Sequence, residues 1–134
     1  MKIINKKDTK EKNQKNSIKI IKGSFISITI SLILLLIMSM IYTYTNIAET
    51  NVTTLVMVIS SVSIFIGSLI SAKSINNNGL INGLSVGLIY MVSLYLISSI
   101  LVSGFSINIK TVIMLVISIL SGIVGGIIGV NINK

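Results

Sequence analysis

The sequence contains no cysteine, histidine, tryptophan, proline or arginine, and its only acidic residues are Asp8, Glu11 and Glu49. The absence of cysteine excludes disulfides, thiol redox chemistry and a lipoprotein anchor. Without histidine or cysteine, three scattered carboxylates do not assemble a transition-metal site, and the many serines have no neighbouring base to activate them. We therefore expect a protein that is not an enzyme, with no catalytic residues, no metal site and no cofactor.

The main feature of the sequence is a set of four long apolar runs, at residues 24–44, 52–72, 80–102 and 111–130. A run of 18 or more apolar residues is long enough to cross a hydrocarbon core of about 30 Å as a helix. Short polar loops join the runs. The sequence thus predicts an all-α membrane protein, with four transmembrane helices in a compact bundle formed by residues 23–134.

Residues 1–22 form a polar segment that holds eight lysines against Asp8 and Glu11. Low hydrophobicity predicts a lysine-rich cytoplasmic tail that is mostly disordered. The apolar run continues through Tyr42 and Tyr44 without a convincing cleavage site, so we expect a retained helix rather than a signal peptide. No aromatic residue interleaves the tail lysines, as base stacking would require, and we expect no nucleic-acid partner.

The lysines also predict the orientation of the chain. With the N-terminus inside, ten lysines lie on the inner side and only Lys110 lies outside. We expect a multi-pass protein of the bacterial plasma membrane, with both termini cytoplasmic. Each juxtamembrane lysine contributes about 1 kcal/mol of binding free energy to an anionic membrane surface. The lysines expected to set topology and contact these headgroups are Lys15, Lys19, Lys22 and Lys73.

Small residues recur every four positions in the last three helices. Residues four apart share one helical face, and the missing Cβ atoms let two backbones approach closely. Such a face could pack within the chain, against another copy or a partner's helix, or line a path for a ligand. The predicted packing residues are Ser63, Gly67 and Ser71 in the second helix, Gly79, Gly83 and Gly87 in the third, and Ser118, Gly122 and Gly126 beside Ser121, Gly125 and Gly129 in the fourth.

These stripes all lie toward the predicted cytoplasmic side, so we expect a bundle that is tight on that side. The outer half should be filled by the bulkier Leu94, Tyr95, Leu96 and Ile97. The leucine-rich first helix has no glycine after Gly23, and we expect it to face lipid or a partner. Most helical serines should bond the carbonyl one turn back.

A faint repeat relates the two halves of the sequence at an offset of 58 residues. The pattern of 53–60 matches that of 111–118, and Gly67 then falls on Gly125. A duplication would give two parallel-repeat hairpins, related by an axis along the membrane normal. Helices rich in Ile, Leu, Ser and Gly also match by composition alone, so both interpretations stay open.

Four motifs between residues 22 and 131 carry a resemblance to known proteins. They are Lys22-Gly23, Gly67-x-x-x-Ser71-Ala72-Lys73, Asn78-Gly79-x-x-x-Gly83-x-x-x-Gly87 and Ser121-Gly122-x-x-Gly125-Gly126-x-x-Gly129. Through them the chain resembles a family of small four-helix bacterial integral membrane proteins of unknown function. The resemblance implies no catalytic or binding residues. Members tend to be encoded near an accessory subunit of the protein translocase, so the resemblance implies a partner.

Together these features predict a non-enzymatic accessory or scaffold component that associates with other membrane helices through its small-residue faces. It would act as a homo-oligomer or within a larger, translocase-associated envelope complex. The alternative is an oligomeric small-solute transporter or channel, or a holin-like pore. Coupled transport usually needs an ionisable group inside the membrane, and the first apolar run contains none.

Overall fold

The computed structural model describes residues 6–75, 77–102 and 107–132. All four helices contain apolar stretches long enough to cross a membrane. The predicted fold class, an all-α bundle of four such helices, is confirmed. The helices are α1 (Lys6–Tyr44), α2 (Val52–Ile75), α3 (Gly79–Val102) and α4 (Ile109–Ile132), with a short 3₁₀ turn at Glu49–Asn51 before α2.

The start of the chain departs from the expected disordered tail. From Lys6 to Lys22 the backbone is helical and continues without a break into the apolar part of α1, a helix of 39 residues. Extending an existing helix is far easier than nucleating a new one. Lysine, glutamate and glutamine are also good helix formers, and no proline interrupts the segment. Residues 1–5 of the expected tail lie outside the described residues.

The bundle is organised around α2 and α4. Helix α4 packs against α2 and α3, while α1 packs against α2 and α3, and no contact joins α1 to α4 within the described ranges. Consecutive helices run antiparallel, so α2 and α4 lie side by side in parallel. We call the half of the bundle nearest Lys22 and Lys73 the lysine half, and the other the opposite half.

Asparagines close the short connection between α2 and α3. Asn78 adopts a left-handed conformation, with φ of 49°, which asparagine tolerates better than most residues. Its carbonyl oxygen accepts a bond from the Asn82 backbone N–H at 3.1 Å. The Asn82 side-chain amide donates to the Asn77 carbonyl oxygen at 2.6 Å. Through these two bonds Asn82 ties the first turn of α3 to the connection that follows α2.

Buried polar side chains inside the bundle are mainly serines that bond their own helix. Ser27 donates to the Gly23 carbonyl oxygen at 3.0 Å, and Ser118 donates to that of Met114 at 2.7 Å. The predicted return of serine hydroxyls to the preceding turn is confirmed for these residues. Such bonds satisfy the hydroxyl without linking two helices, so packing rather than hydrogen bonding holds most of the bundle together.

The opposite half is looser than expected. Leu96 and Ile97 are 49% and 47% exposed, and Leu94 and Tyr95 are only half-buried. The prediction that these four side chains fill this half is wrong. Hydrocarbon solvates leucine and isoleucine as well as a protein interior does, so bulky apolar side chains alone do not draw helices together in a membrane.

Residues that the 58-residue repeat matches do not contact equivalent helices. At an offset of 58, Gly67 corresponds to Gly125, yet Gly67 faces α1 of its own hairpin while Gly125 faces α2 across the bundle. An internal two-fold repeat would place matched residues against matched neighbours. At this offset the sequence match therefore does not superimpose equivalent helix faces.

Candidate functional site

The stripe of α4 formed by Ser118, Gly122 and Gly126 lies directly against α3. A Cβ atom added to Gly83 would overlap the backbone of Gly122, and one added to Gly122 would overlap the backbone of Gly83. At the next turn, a Cβ on Gly87 would lie 2.6 Å from the Ser118 carbonyl oxygen. Along this seam two backbones touch, an approach that only residues without a Cβ allow.

The second α4 stripe faces α2. A Cβ on Gly125 would overlap the Ser68 hydroxyl and lie 2.5 Å from the Phe65 carbonyl oxygen. A Cβ on Gly129 would lie 2.5 Å from the Leu69 carbonyl oxygen. Ser121, one turn earlier, is only half-buried. The broad small-residue surface of α4 thus serves two neighbours, both within the same chain.

All three residues of the α2 stripe, Ser63, Gly67 and Ser71, are buried, and Gly67 and Ser71 lie against α1. A Cβ on Gly23 would lie 2.5 Å from the Ser71 Cβ atom, and one on Gly67 would overlap the Ser27 hydroxyl. Sequence reasoning missed Gly23 and Ser27 as packing residues. The signal was present, because Gly23, Ser27 and Ser31 also recur every four positions.

The first helix therefore faces two environments. Ser24, Ser27 and Ser31 are buried toward the bundle. Leu32 and Leu36, which point away from it, are 54% and 68% exposed. On α1, the surface available to lipid or to a partner is this leucine side.

The four lysines predicted to contact headgroups lie at the end of α2 and in the part of α1 that precedes its long apolar stretch. Lys15, Lys22 and Lys73 are exposed and Lys19 is half-buried. The Lys19 ammonium donates to the Ser74 carbonyl oxygen at 2.8 Å, and the Ser71 hydroxyl donates to the Lys19 carbonyl oxygen at 3.2 Å. Because the last carbonyls of a helix carry partial negative charge, Lys19 stabilises the end of α2 while joining it to α1.

In the opposite half, α1 and α2 separate and leave a crevice of about 650 Å³. Its inner part is lined by Leu35, Leu55 and Ile59, and its rim includes Thr45 and Asn46. A smaller, almost wholly apolar cavity of about 250 Å³ lies between α3 and α4 in the same half. The size of the α1–α2 crevice is in the range of ligand sites in proteins.

Three buried hydroxyls within the described residues have no hydrogen-bond partner. They belong to Tyr42 at the crevice, to Ser60 between α2 and α4, and to Tyr90 of α3. Tyr90 is completely buried. Among residues 6–75, 77–102 and 107–132, no group of three His, Cys, Asp or Glu side chains lies together as metal ligands would.

The comparisons with known proteins identify one family. The profile of the family described as "Protein of unknown function (DUF3792)" matches residues 16–129. This range begins in the lysine-bearing part of α1 and ends near the close of α4, so it includes all four helices. Searches of curated proteins and of solved structures found no significant match.

Proposed function

We propose that this chain, which belongs to the four-helix membrane family of unknown function matched above, is a non-enzymatic accessory or scaffold component of a larger envelope complex. The observation that carries the proposal is the unbroken α1 helix, which joins a membrane-spanning segment to a lysine-rich helical extension. The small-residue faces, expected from sequence to mediate association, are occupied inside the bundle. Association must therefore use other surfaces.

The extension supplies such a surface. It runs from Lys6 to Lys22 and is continuous with the bundle, and its base is held by the Lys19–Ser74 and Ser71–Lys19 hydrogen bonds. At 1.5 Å per residue, it reaches about 24 Å along the helix axis. A helix fixed at its base presents its charges at defined positions, which favours docking over loose attraction.

Distance separates two roles for the lysines. Lys19 and Lys22 lie at the membrane end, where anionic headgroups attract them. Measured from Lys22 along the helix axis, Lys12 lies about 15 Å away and Lys7 about 22 Å away. The attraction of a charged membrane falls off within a Debye length of about 8–10 Å. The distal lysines are thus available to an acidic surface on a partner protein, with translocase subunits as the first candidates from the family resemblance.

The test is a mild-detergent purification of the tagged protein from its native membrane. The baits are the wild type, a distal variant with Lys7, Lys10 and Lys12 changed to Gln, and a control with Lys110→Gln in the opposite half. We expect a stoichiometric partner with the wild type and the control, and its loss with the distal variant. The partner should rebind purified protein in nanodiscs, with an affinity that falls as salt rises.

Recovery of the protein alone, as a defined oligomer, would contradict this proposal. It would favour the alternative of an oligomeric small-solute transporter or channel, for which the crevice of about 650 Å³ is the specific supporting observation. Solute flux into proteoliposomes that contain only the purified protein would then decide between them.

A further inference from the structure

A groove lies between the lysine-rich extension of α1 and the last residue of α2. We call it the lysine groove, and it is lined by Glu11, Lys12, Lys15, Asn16, Lys19 and Ile75. Lys12 and Lys15 are exposed, whereas Asn16 and Lys19 are half-buried on the side of the extension that faces α2. The hydrogen bond from the Lys19 ammonium to the Ser74 carbonyl oxygen holds the two walls together at the base of the groove.

The lysines of the extension do not all face this groove. An α-helix turns by about 100° per residue, so Lys12, Lys15 and Lys19 lie within about 60° of one another around the helix axis. By the same geometry Lys10 lies on the opposite side of the helix, and Lys7 lies about 110° from the centre of the groove. Lys12, Lys15 and Lys19 therefore form one row, while Lys7 and Lys10 carry the same charge on other faces.

The lining of the groove is positively charged and partly apolar. Its lysines outnumber its carboxylate, that of Glu11, which lowers the charge only at the end far from the membrane. Because Lys19 already bonds the end of α2, Lys12 and Lys15 are the charges that the groove offers to a partner. Ile75, at the end of α2, adds an apolar contact. A complementary occupant carries carboxylates opposite the two lysines and an apolar side chain against Ile75.

The outer part of the groove lies beyond the lipid headgroups. A bilayer of about 40–45 Å has a hydrocarbon core of about 30 Å, so each headgroup layer is about 5–8 Å thick. Measured from Lys22 along the helix axis, Lys15 lies about 10 Å away and Lys12 about 15 Å away. Helical side chains tilt toward the N-terminus of their helix, which here is the direction away from the membrane. These two lysines therefore face a partner in water rather than lipid.

The spacing of the row matches a second helix. Along the helix axis, Lys12 and Lys15 are about 4.5 Å apart, and Lys15 and Lys19 are about 6 Å apart. Residues three and four apart on another helix have the same two spacings, whereas residues on one face of a strand repeat at about 6.6 Å. A helix alongside the extension thus places acidic residues three and four positions apart directly opposite the row.

Building on the proposed function, on which this step rests, we propose that the lysine groove binds an acidic helix of the partner protein. Carboxylates three residues apart on that helix pair with Lys12 and Lys15, and one of its apolar side chains lies against Ile75. The extension then selects its partner by one face and not by its total charge. A nucleic acid matches this surface less well, because residues 6–22 contain no aromatic side chain for base stacking and no arginine.

The first test measures the affinity of an acidic helix for the full chain in phosphatidylcholine nanodiscs, by fluorescence anisotropy. The probe is a labelled alanine- and leucine-rich peptide with glutamates three and four residues apart along one face. Loss of two exposed ion pairs corresponds to a roughly fivefold weaker affinity, which we expect for the double variant Lys12→Gln, Lys15→Gln. The matched control, Lys7→Gln with Lys10→Gln, removes the same charge from other faces and should bind nearly as the wild type does.

Equal weakening in the two double variants would overturn the proposal, because total charge would then attract the peptide. A peptide of the same composition, with its glutamates spread around the helix, should bind the wild type more weakly than the probe does. Equal affinity of the two peptides would also overturn the proposal.

A crosslinking pair locates the native partner. A photoreactive amino acid replaces either Asn16, which lines the groove, or Gln14, which is exposed on the other side of the helix. The partner recovered with the wild-type bait should crosslink from Asn16 and not from Gln14. Crosslinks from Gln14 alone would overturn the groove as the docking site and leave the accessory role standing. Absence of any partner contradicts the accessory role itself, while the peptide affinities still decide whether the groove binds an acidic helix.

Lipid and nucleic acid are the other occupants that these measurements distinguish. In nanodiscs that contain phosphatidylglycerol, native mass spectrometry should find the same amount of this lipid bound to the wild type and to the Lys12→Gln, Lys15→Gln variant. Loss of bound phosphatidylglycerol in the variant would overturn the proposal in favour of a headgroup site. Displacement of the peptide by a single-stranded oligonucleotide at a lower concentration than that of unlabelled peptide would overturn it in favour of a nucleic acid.

Discussion

The two halves of the bundle are held together in different ways. In the lysine half, backbone meets backbone, as where Gly83 of α3 lies against Gly122 of α4. In the opposite half the helices carry larger side chains, yet they separate and leave crevices. Lipid offers helices no hydrophobic reason to associate, so close approach decides where a bundle closes. The difference shows that the glycine positions, rather than the apolar bulk, set the shape of this protein.

The largest effect should come from an obstacle placed in the α3–α4 seam. Gly122→Leu puts a side chain where the Gly83 backbone lies, and a backbone cannot rotate away as a side chain can. We expect a loss of more than about 3 kcal/mol in the free energy of unfolding. The measurement is an SDS titration in mixed micelles, followed by the circular dichroism signal.

The matched control for this change is Val124→Leu, two residues along the same helix on a side chain that is 49% exposed. It should unfold at the same SDS fraction as the wild type. If Gly122→Leu did so too, the close α3–α4 seam would not be what closes the lysine half.

A smaller effect should come from the α1–α2 contact, where the nearest obstacle is a side chain. Gly67→Ala places a methyl group against the Ser27 hydroxyl and 2.6 Å from the Gly23 carbonyl oxygen. We expect a cost of about 1–3 kcal/mol. Adding Ser27→Ala should restore part of it, because the hydroxyl is removed while the Gly23 carbonyl stays.

A double-mutant cycle isolates this coupling. Ser27→Ala alone should have little effect, because its hydroxyl bonds only its own helix, at Gly23. Strictly additive changes would indicate that Gly67 and Ser27 do not touch, and that α1 meets α2 elsewhere.

A third prediction compares the cost of truncating one isoleucine in each half of the bundle. Ile64 of α2 is fully buried, while Ile97 of α3 is 47% exposed. In lipid the transfer contribution is small and the lost packing remains, so Ile64→Ala should cost about 1–2 kcal/mol. Ile97→Ala should cost less than about 0.5 kcal/mol. The same SDS titration measures both, and equal costs would mean that the two halves are packed alike.

The four helices could be predicted from sequence, but which helix packs against which could not. A long apolar run must satisfy its backbone internally in lipid, so 52–72 and 111–130 could only be helices if they span the membrane. A spacing of four residues identifies a face but not what lies against it. The parallel contact of Gly125 with α2 depends on how all four helices assemble, and no local pattern contains that information.

Two other features escaped sequence reasoning for separate reasons. The lysine-rich start was predicted to be mostly disordered from its composition alone. The adjoining apolar helix supplies a nucleus, and the residues of the lysine-rich start readily extend it. The crevice near Tyr42 results from the divergence of α1 and α2, which depends on where their glycines stop. Gly23 and Gly67 hold the two helices close together at one end. Beyond Ser31, the described part of α1 contains no glycine that would let the two backbones touch again.

The smallest effect is expected at Tyr90, where the two halves meet. This residue is completely buried, and its hydroxyl has no partner among the described residues. Removing an unsatisfied buried hydroxyl while keeping the ring relieves a desolvation cost, so Tyr90→Phe should be neutral or should stabilise the protein by up to about 1 kcal/mol. Tyr44→Phe, on an exposed ring, is the control for the loss of a phenol group as such. The direction in which the midpoint of the SDS titration shifts shows whether Tyr90→Phe stabilises or destabilises the protein. A destabilisation by Tyr90→Phe would mean that the hydroxyl has an acceptor in the membrane-embedded protein, and that polar bonding reaches further into the opposite half than the glycine seams do.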